Sequence, residues 1–183
     1  MKNLNYLRIS GIALALAGLS MLLTSSIGIS ISKVLVPMFI VSAGLFSFLF
    51  SSKNRGVSLA RQYHLAQAIG LVVCGLLVAI LPESLEGFLM YIAYFVLLSG
   101  SLELIFAYSI LNAKIKVFNW SVLISRFVAA AISFILAIVL LLNSVLDPQI
   151  GLLIAGAVTI IGGASVLIFA RKIKNANPAD FAE

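Results

Sequence analysis

The stretch "LLSGSLELIFAYS", residues 97–109, surrounds a single carboxylate, Glu103, with apolar and small residues. It belongs to an apolar segment at about residues 87–112, which exceeds the roughly 20 residues that an α-helix needs to cross a bilayer. Because the segment is continuously apolar and does not alternate with polar residues, it predicts a helix rather than a strand. Why an acid lies inside a predicted membrane-spanning helix depends on the residues in the rest of the chain.

The composition is that of an integral membrane protein. The 183 residues are 62% hydrophobic and only 10% charged, whereas a soluble domain is about a quarter charged. The single cysteine, Cys74, cannot form a disulfide within the chain. We expect residues 1–175 to form one transmembrane domain and residues 176–183 to form a flexible cytoplasmic tail.

Six apolar segments predict an all-α, polytopic fold with six transmembrane helices. They lie at about residues 5–24, 34–52, 62–81, 87–112, 119–143 and 149–171. Prolines fall near the predicted outer ends of these segments, at Pro37, Pro82 and Pro148.

The charges between the segments predict which side of the membrane each end faces. One side holds the basic residues Lys2, Arg8, Lys53, Arg55, Arg61, Lys114, Lys116, Arg171, Lys172 and Lys174, whereas the other side holds only Lys33. The positive-inside rule therefore predicts that both termini are cytoplasmic. Short basic clusters between apolar segments do not form the contiguous basic face that nucleic acid requires, so we expect no nucleic-acid partner.

The first segment has an alternative interpretation as a cleaved signal peptide, since it starts with basic residues and continues with apolar ones. No clear A-x-A cleavage site follows, and the internal repeat also uses this segment. We therefore favour an uncleaved first helix.

Two sequence registers predict that three helical hairpins derive from one ancestral pair. Tyr6, Tyr63 and Trp120 recur every 57 residues at the predicted inner ends of the odd-numbered segments. Aromatic rings with a polar edge favour the lipid headgroup level, so these three are predicted interface anchors.

The even-numbered segments carry the second register, in "AGLFSFLF" (43–50), "SGSLELIF" (99–106) and "GGASVLIF" (162–169). In each, a glycine is followed six positions later by a phenylalanine, which makes Gly44, Gly100 and Gly163 equivalent, and likewise Phe50, Phe106 and Phe169. Small residues let membrane helices approach closely, so these positions are predicted to pack helices together.

The three hairpins, the "SGSLELIF" segment, the "NWSVLISR" start of the fifth segment (119–126) and the short basic inner connections resemble the HdeD-type acid-resistance membrane protein family. The resemblance covers nearly the whole chain. It implies a bacterial inner (plasma) membrane protein that is linked to survival in acid, and it supplies no catalytic residues.

Two charges are predicted inside the membrane. Glu103 lies about 13 Å and Arg126 about 10 Å from the inner ends of neighbouring helices, at 1.5 Å per residue. An unpaired charge at this depth is costly, so we predict that the two side chains contact each other or share a water molecule. The pair is either a structural ion pair, which we favour, or a proton-responsive site. His64 is expected to be a solvated residue at the inner interface.

The motifs that would indicate other chemistry are missing from the sequence. One histidine and one cysteine do not provide the usual spacing of metal ligands, and no H-E-x-x-H, G-x-S-x-G or P-loop occurs. We therefore predict a non-enzymatic protein that uses no metal or cofactor, and the resemblance to the HdeD-type family implies a role in stress tolerance. The alternative is a small transporter or channel lined by Glu103 and Arg126. The predicted partner is the lipid bilayer, with a homo-oligomer or a membrane partner left open and no ligand identified.

Overall fold

The computed structural model describes the backbone of residues 3–54, 58–112, 120–142 and 147–173, and their side chains except at 58–60, 110–112, 120–123, 125, 126, 172 and 173. All regular structure in these ranges is helical. The helices are α1 (Leu4–Leu22), α2 (Thr24–Ile27), α3 (Ile29–Lys53), α4 (Ser58–Ile80), α5 (Leu85–Asn112), α6 (Trp120–Leu142) and α7 (Pro148–Ile173).

Five of the helices in the described ranges are long and apolar enough to cross a membrane, namely α1, α3, α4, α5 and α7. Large apolar side chains face outward around the bundle, with Val34 64%, Ile80 76% and Leu142 80% exposed. Soluble proteins rarely expose apolar surface so extensively. The chain is therefore a multi-pass helical membrane protein whose outer surface contacts lipid.

The sixth predicted span corresponds to α6. Its apolar part within the described side chains, Phe127–Leu142, is shorter than the other five spans. A total of six spans remains a prediction.

Local hydrogen bonding fixes where α5 and α7 begin. The Oδ1 atom of Asp147 accepts a bond of 2.7 Å from the backbone N–H of Gln149, and Pro148 occupies the first helical position, where a missing N–H costs nothing. The Oγ atom of Ser84 accepts a bond of 3.0 Å from the N–H of Gly87 at the start of α5. These polar residues therefore fix where the chain re-enters the apolar bundle.

The second apolar segment begins earlier than its sequence predicts. Gly28, at φ 84°, separates the short helix α2 from α3, and α3 then runs from Ile29 rather than from residue 34. Pro37 consequently lies inside α3 and is buried, instead of standing near its start. The apolar residues Ile29 and Ile31 extend the helix beyond the segment that a continuous apolar run defines.

The two most extensive helix contacts join different predicted hairpins. The most extensive pairings are α1 with α7, α3 with α4, and then α1 with α3 and α5 with α6. A Cβ atom added at Gly163 would lie 2.6 Å from the backbone oxygen of Gly11, and one at Gly18 would lie 2.5 Å from that of Gly156. Glycine therefore permits the first and last helices to pack backbone to backbone, which closes the bundle.

Serine and lysine side chains add polar links between the helices. The Ser10 hydroxyl donates to the Ala43 carbonyl at 2.9 Å and lies 2.9 Å from the Oγ atom of Ser47. At the opposite end of the bundle the Lys33 ammonium donates to the Pro82 carbonyl at 2.8 Å. These bonds satisfy polar groups that lipid would leave unsatisfied.

Candidate functional site

Glu103 is paired with a tyrosine from the preceding helix. The Tyr63 hydroxyl, on α4, donates to the Oε1 atom of Glu103, on α5, across 2.6 Å. This is the short range typical of a hydroxyl bonded to a carboxylate. Tyr63 is only 7% exposed and its ring stacks on Phe106, with centroids 3.9 Å apart and planes inclined by 16°. The Tyr63 side chain thus faces the interior of the bundle, where the carboxylate and the stacked ring hold it, and its role as an anchor at the headgroup level stays a prediction.

His64 is fully buried, which corrects the expectation of a solvated interface residue. Its Nδ1 atom lies 2.9 Å from the Oε1 atom of Gln67, one helical turn along α4. Aromatic side chains surround the ring, with centroid distances of 5.0 Å to Phe50, 4.8 Å to Tyr63 and 6.0 Å to Phe169. The imidazole is buried because this apolar enclosure and one amide replace solvent.

The three phenylalanines of the predicted repeat meet at this histidine. Phe50, Phe106 and Phe169 come from α3, α5 and α7, and each is at most 2% exposed. The centroid of Phe106 is 6.1 Å from that of His64 and 5.4 Å from that of Phe169. Together with Tyr63 and His64 they form what we call the aromatic layer.

A small cavity, the Glu103 chamber, lies beside the aromatic layer in the middle of the bundle. Its volume is about 50 Å³, which is room for roughly three or four water-sized groups. Its polar lining residues are Gln67, Ser99, Glu103, Ser133, Thr159 and Ser165. A carboxylate, hydroxyls and an amide therefore converge where five helices meet.

The chamber is bounded by packed side chains in both directions along the bundle. The aromatic layer lies on the side of the helix ends that carry Lys53 and Arg171. On the other side, Met21, Ile92 and Ala155 are fully buried, and the Oγ1 atom of Thr159 lies 3.9 Å from the Sδ atom of Met21. A second cavity, of about 250 Å³, lies beyond Met21 and shares no described lining residue with the chamber.

Sideways, the chamber adjoins an apolar groove between α6 and α7. This α6–α7 groove has a volume of about 570 Å³ and shares Ala129, Ser133 and Val158 with the chamber. A Cβ atom added at Gly162, which lines the chamber, would meet no atom within 4 Å. The described residues of α6 and α7 therefore leave open space beside Gly162.

The predicted packing glycines all lie at close helix contacts. A Cβ atom would lie 3.0 Å from the Ala68 carbonyl oxygen at Gly44 and 3.0 Å from the Phe134 nitrogen at Gly100, and the contact at Gly163 is closer still. Each of these three glycines faces a helix of another predicted hairpin.

Two predicted site residues fall outside the described side chains, namely Arg126 and Trp120. The Glu103–Arg126 pair accordingly stays a prediction. Tyr6 is half-buried and stacks on Phe46 with centroids 6.4 Å apart. Within the described residues, no three His, Cys, Asp or Glu side chains lie close enough to hold a metal ion.

Comparisons with family models, with curated proteins and with solved structures found no match to this chain.

Sequence reasoning identified Glu103 but not the residues that hold it. The signal that was missed is a row of polar and small residues at helical spacing along one face of α4, namely Tyr63, Gln67, Gly70 and Cys74. A tyrosine and a glutamine on the same face as small packing residues indicate an inward-facing polar strip.

Proposed function

We propose that this chain is a non-enzymatic stress-tolerance protein of a bacterial inner membrane, of the HdeD type, and that it acts in acid resistance. The observation that carries the proposal is the position of Glu103 in a chamber bounded by packed layers on both sides. Among the described residues, packed side chains separate this titratable cluster from both ends of the bundle, and such an arrangement suits a protein that withstands acid better than one that conducts ions.

The chemistry of the cluster supports a response to protons. Glu103, Tyr63 and Gln67–His64 are linked by hydrogen bonds or ring contacts across α4 and α5. Histidine and carboxylates are the side chains that change charge in the acidic to neutral range. A buried charge is costly unless it is paired. A change in the protonation of Glu103 or His64 would therefore alter how the helices around them pack.

The proposal includes three pseudo-repeated hairpins with both termini in the cytoplasm. Two contacts support the repeat. Gly44 faces the carbonyl of Ala68, and Gly163 faces that of Gly11. Ala68 and Gly11 are 57 residues apart, the same spacing that separates the aromatic residues Tyr6 and Tyr63.

The test is survival after acid challenge of a strain that lacks this gene. The strain is complemented with wild type, Glu103→Gln or Tyr63→Phe at matched membrane levels. We expect wild type to restore survival and both variants to restore less of it, because Tyr63→Phe removes the donor of the Tyr63–Glu103 bond and Glu103→Gln replaces the carboxylate with a neutral amide that does not titrate. Tyr94→Phe, on the exposed surface of α5, is the matched control and should protect like wild type.

If wild type gave no protection, the acid-resistance role itself would be wrong. If the variants protected fully, the Tyr63–Glu103 pair would be architectural, and the role would have to lie in loops or partners.

A small transporter or channel is the second candidate, favoured by the polar lining of the Glu103 chamber. It predicts proton or solute flux through protein-containing vesicles that Glu103→Gln abolishes. The packed layers on both sides of the chamber predict flux no greater than that of protein-free vesicles.

A further inference from the structure

Arg8 is a cation within the first membrane-spanning helix, and the proposed function does not use it. It lies on α1 one turn before Gly11, where an added Cβ atom would lie 2.9 Å from the backbone oxygen of Gly163 on α7. The Arg8 side chain is partly buried, and its Nε atom is enclosed without a hydrogen-bond partner among the described residues. A guanidinium at the edge of a bilayer is costly unless an anion accepts from it.

A second arginine lies at the same contact between α1 and α7. The Cβ atom added at Gly11 would also lie 2.9 Å from the Cγ atom of Leu167. Arg171 is exposed and follows Leu167 by one turn of α7, as Arg8 precedes Gly11 by one turn of α1. The backbone contacts show that the two helices are antiparallel, so both arginines lie one turn beyond the Gly11–Leu167 contact, toward the same end of the bundle. We call this place the Arg8–Arg171 seam.

The seam borders the lipid-facing surface. Ile12 and Leu19 follow Arg8 at helical spacing on the same face of α1, and they are 49% and 45% exposed. Arg8 follows the start of α1 at Leu4 by four residues, about 6 Å at 1.5 Å per residue. An arginine stem can lie along apolar surface while its guanidinium reaches the headgroup level. The seam therefore places cations where a lipid phosphate can meet them.

The charges at this end of the bundle favour an anionic lipid. Lys53 ends α3 at the same end, and Arg61 lies near it because its carbonyl accepts from the Ser51 hydroxyl at 3.0 Å. Among the described residues, the acidic ones lie in the interior or at the opposite end, namely Glu103, Glu83, Glu86 and Asp147. The described part of this end thus presents cations without a carboxylate. A zwitterionic lipid would bring a further cation to it.

From this we propose that the Arg8–Arg171 seam binds one anionic phospholipid of the phosphatidylglycerol class. The two guanidinium groups donate to its phosphate oxygens, which match the planar donor geometry of arginine. Its acyl chains lie along Ile12 and Leu19. The phosphate also reduces the repulsion between the two cations. This binding does not depend on a role in acid stress.

The test uses the full-length protein, immobilised on an affinity resin in non-ionic detergent, with radiolabelled dioleoyl phosphatidylglycerol as the probe. We expect saturable retention of one lipid per chain above resin without protein. Dioleoyl phosphatidylcholine has the same acyl chains and should compete about tenfold more weakly, because its trimethylammonium would lie beside the arginines. Excess inorganic phosphate should not displace the lipid, since it has no acyl chains to hold it.

Four variants separate the seam from the general positive charge of this end. Arg8→Gln should weaken phosphatidylglycerol binding by about tenfold or more, and Arg8→Lys should weaken it less, because lysine keeps the charge but not the planar donors. Arg171→Gln, at an exposed position, should weaken binding by up to about fivefold. Arg61→Gln is the matched control: it removes the same charge from α4, which packs on α3 and α5, and should bind like wild type.

Several results would overturn the proposal. Equal competition by the two lipids would remove the selection of an anionic head group, and displacement by inorganic phosphate would show a site for free phosphate instead. Equal losses in Arg8→Gln and Arg61→Gln would leave only general charge attraction. Binding that appeared only when Asp180→Asn and Glu183→Gln neutralise the tail would make the tail the occupant of the seam. If Arg8→Gln did not fold, the lipid competition on wild type and the Arg8→Lys and Arg171→Gln variants would still decide the question.

Discussion

The carboxylate of Glu103 is held by a side chain that is itself immobilised. Tyr63 donates a 2.6 Å bond to it while its ring lies flat on Phe106. The stacked ring fixes the direction of the hydroxyl, so little rotational freedom remains to be lost when the bond forms. The tyrosine hydroxyl is therefore a pre-oriented partner of an acid inside a membrane-spanning helix.

At this scale we predict that Tyr63→Phe lowers the free energy of unfolding by about 1–2 kcal/mol. The ring and its stacking remain, but a carboxylate loses a buried donor, and hydrogen bonds in membrane proteins range up to about 1.7 kcal/mol. The measurement is unfolding in mixed detergent micelles with increasing dodecyl sulfate.

A double-mutant cycle with Glu103→Leu isolates the pair, because leucine offers no acceptor to the Tyr63 hydroxyl and the cycle subtracts the separate effects of each substitution. We expect a coupling energy of about 1 kcal/mol. Tyr94→Phe, whose tyrosine is 49% exposed, should change stability by less than about 0.5 kcal/mol. A coupling energy of zero would contradict the bond.

At the scale of helices, adjacent glycines have opposite roles. A Cβ atom at Gly163 would lie 2.6 Å from the Gly11 oxygen and 2.7 Å from the Ala15 nitrogen, both backbone atoms that cannot rotate away. At Gly162 the same atom would meet open space. Gly163 allows α1 and α7 to touch, whereas Gly162 lies at the gap between α6 and α7.

We therefore predict that Gly163→Ala destabilises the bundle by about 1–3 kcal/mol, because overpacking forces α1 and α7 apart. Gly162→Ala should be neutral or stabilise by up to about 1 kcal/mol, since alanine favours the helix and meets no neighbour. Thermal unfolding of the two purified variants in the same detergent measures the difference. Equal melting temperatures would show that the α1–α7 contact is looser than the backbone distances indicate.

At the scale of the whole molecule, the first and last helices close the bundle around a centre that is polar but small. Packing between predicted hairpins is more extensive than within the second and third hairpins, as α3 with α4 and α5 with α6 exceed α4 with α5 and α6 with α7. The weakest of these neighbouring contacts, α6 with α7, is where the groove lies. The Glu103 chamber and the α6–α7 groove therefore lie where neighbouring helices make the least extensive contact.

The number of spans predicts the location of the two ends. Six spans put both termini on the same side, whereas the five spans found in the described ranges would put them on opposite sides. We expect short epitope tags at either terminus to resist external protease in intact spheroplasts and to be cut after lysis. A C-terminal tag that is cut in intact spheroplasts would exclude six spans.

The sequence by itself determined the membrane class, the helical fold and most helix bounds. Apolar length and terminal residues such as Pro148 act locally, so they can be read without knowing any neighbour. It also identified Glu103, because a charged residue within an apolar segment can be recognised from the sequence alone. It did not predict that α3 begins at Ile29, because the polar serines near Gly28 interrupt the apolar pattern from which the start of the segment was predicted.

Only the tertiary structure decided which side chains lie around Glu103. Tyr63 precedes it by 40 residues and His64 lies next to that tyrosine. From the sequence both resemble interface residues. Their burial depends on how α4 rotates against α5 and on the convergence of Phe50, Phe106 and Phe169. Helix rotation and the gap at Gly162 are set by contacts among several helices, and no single segment encodes them.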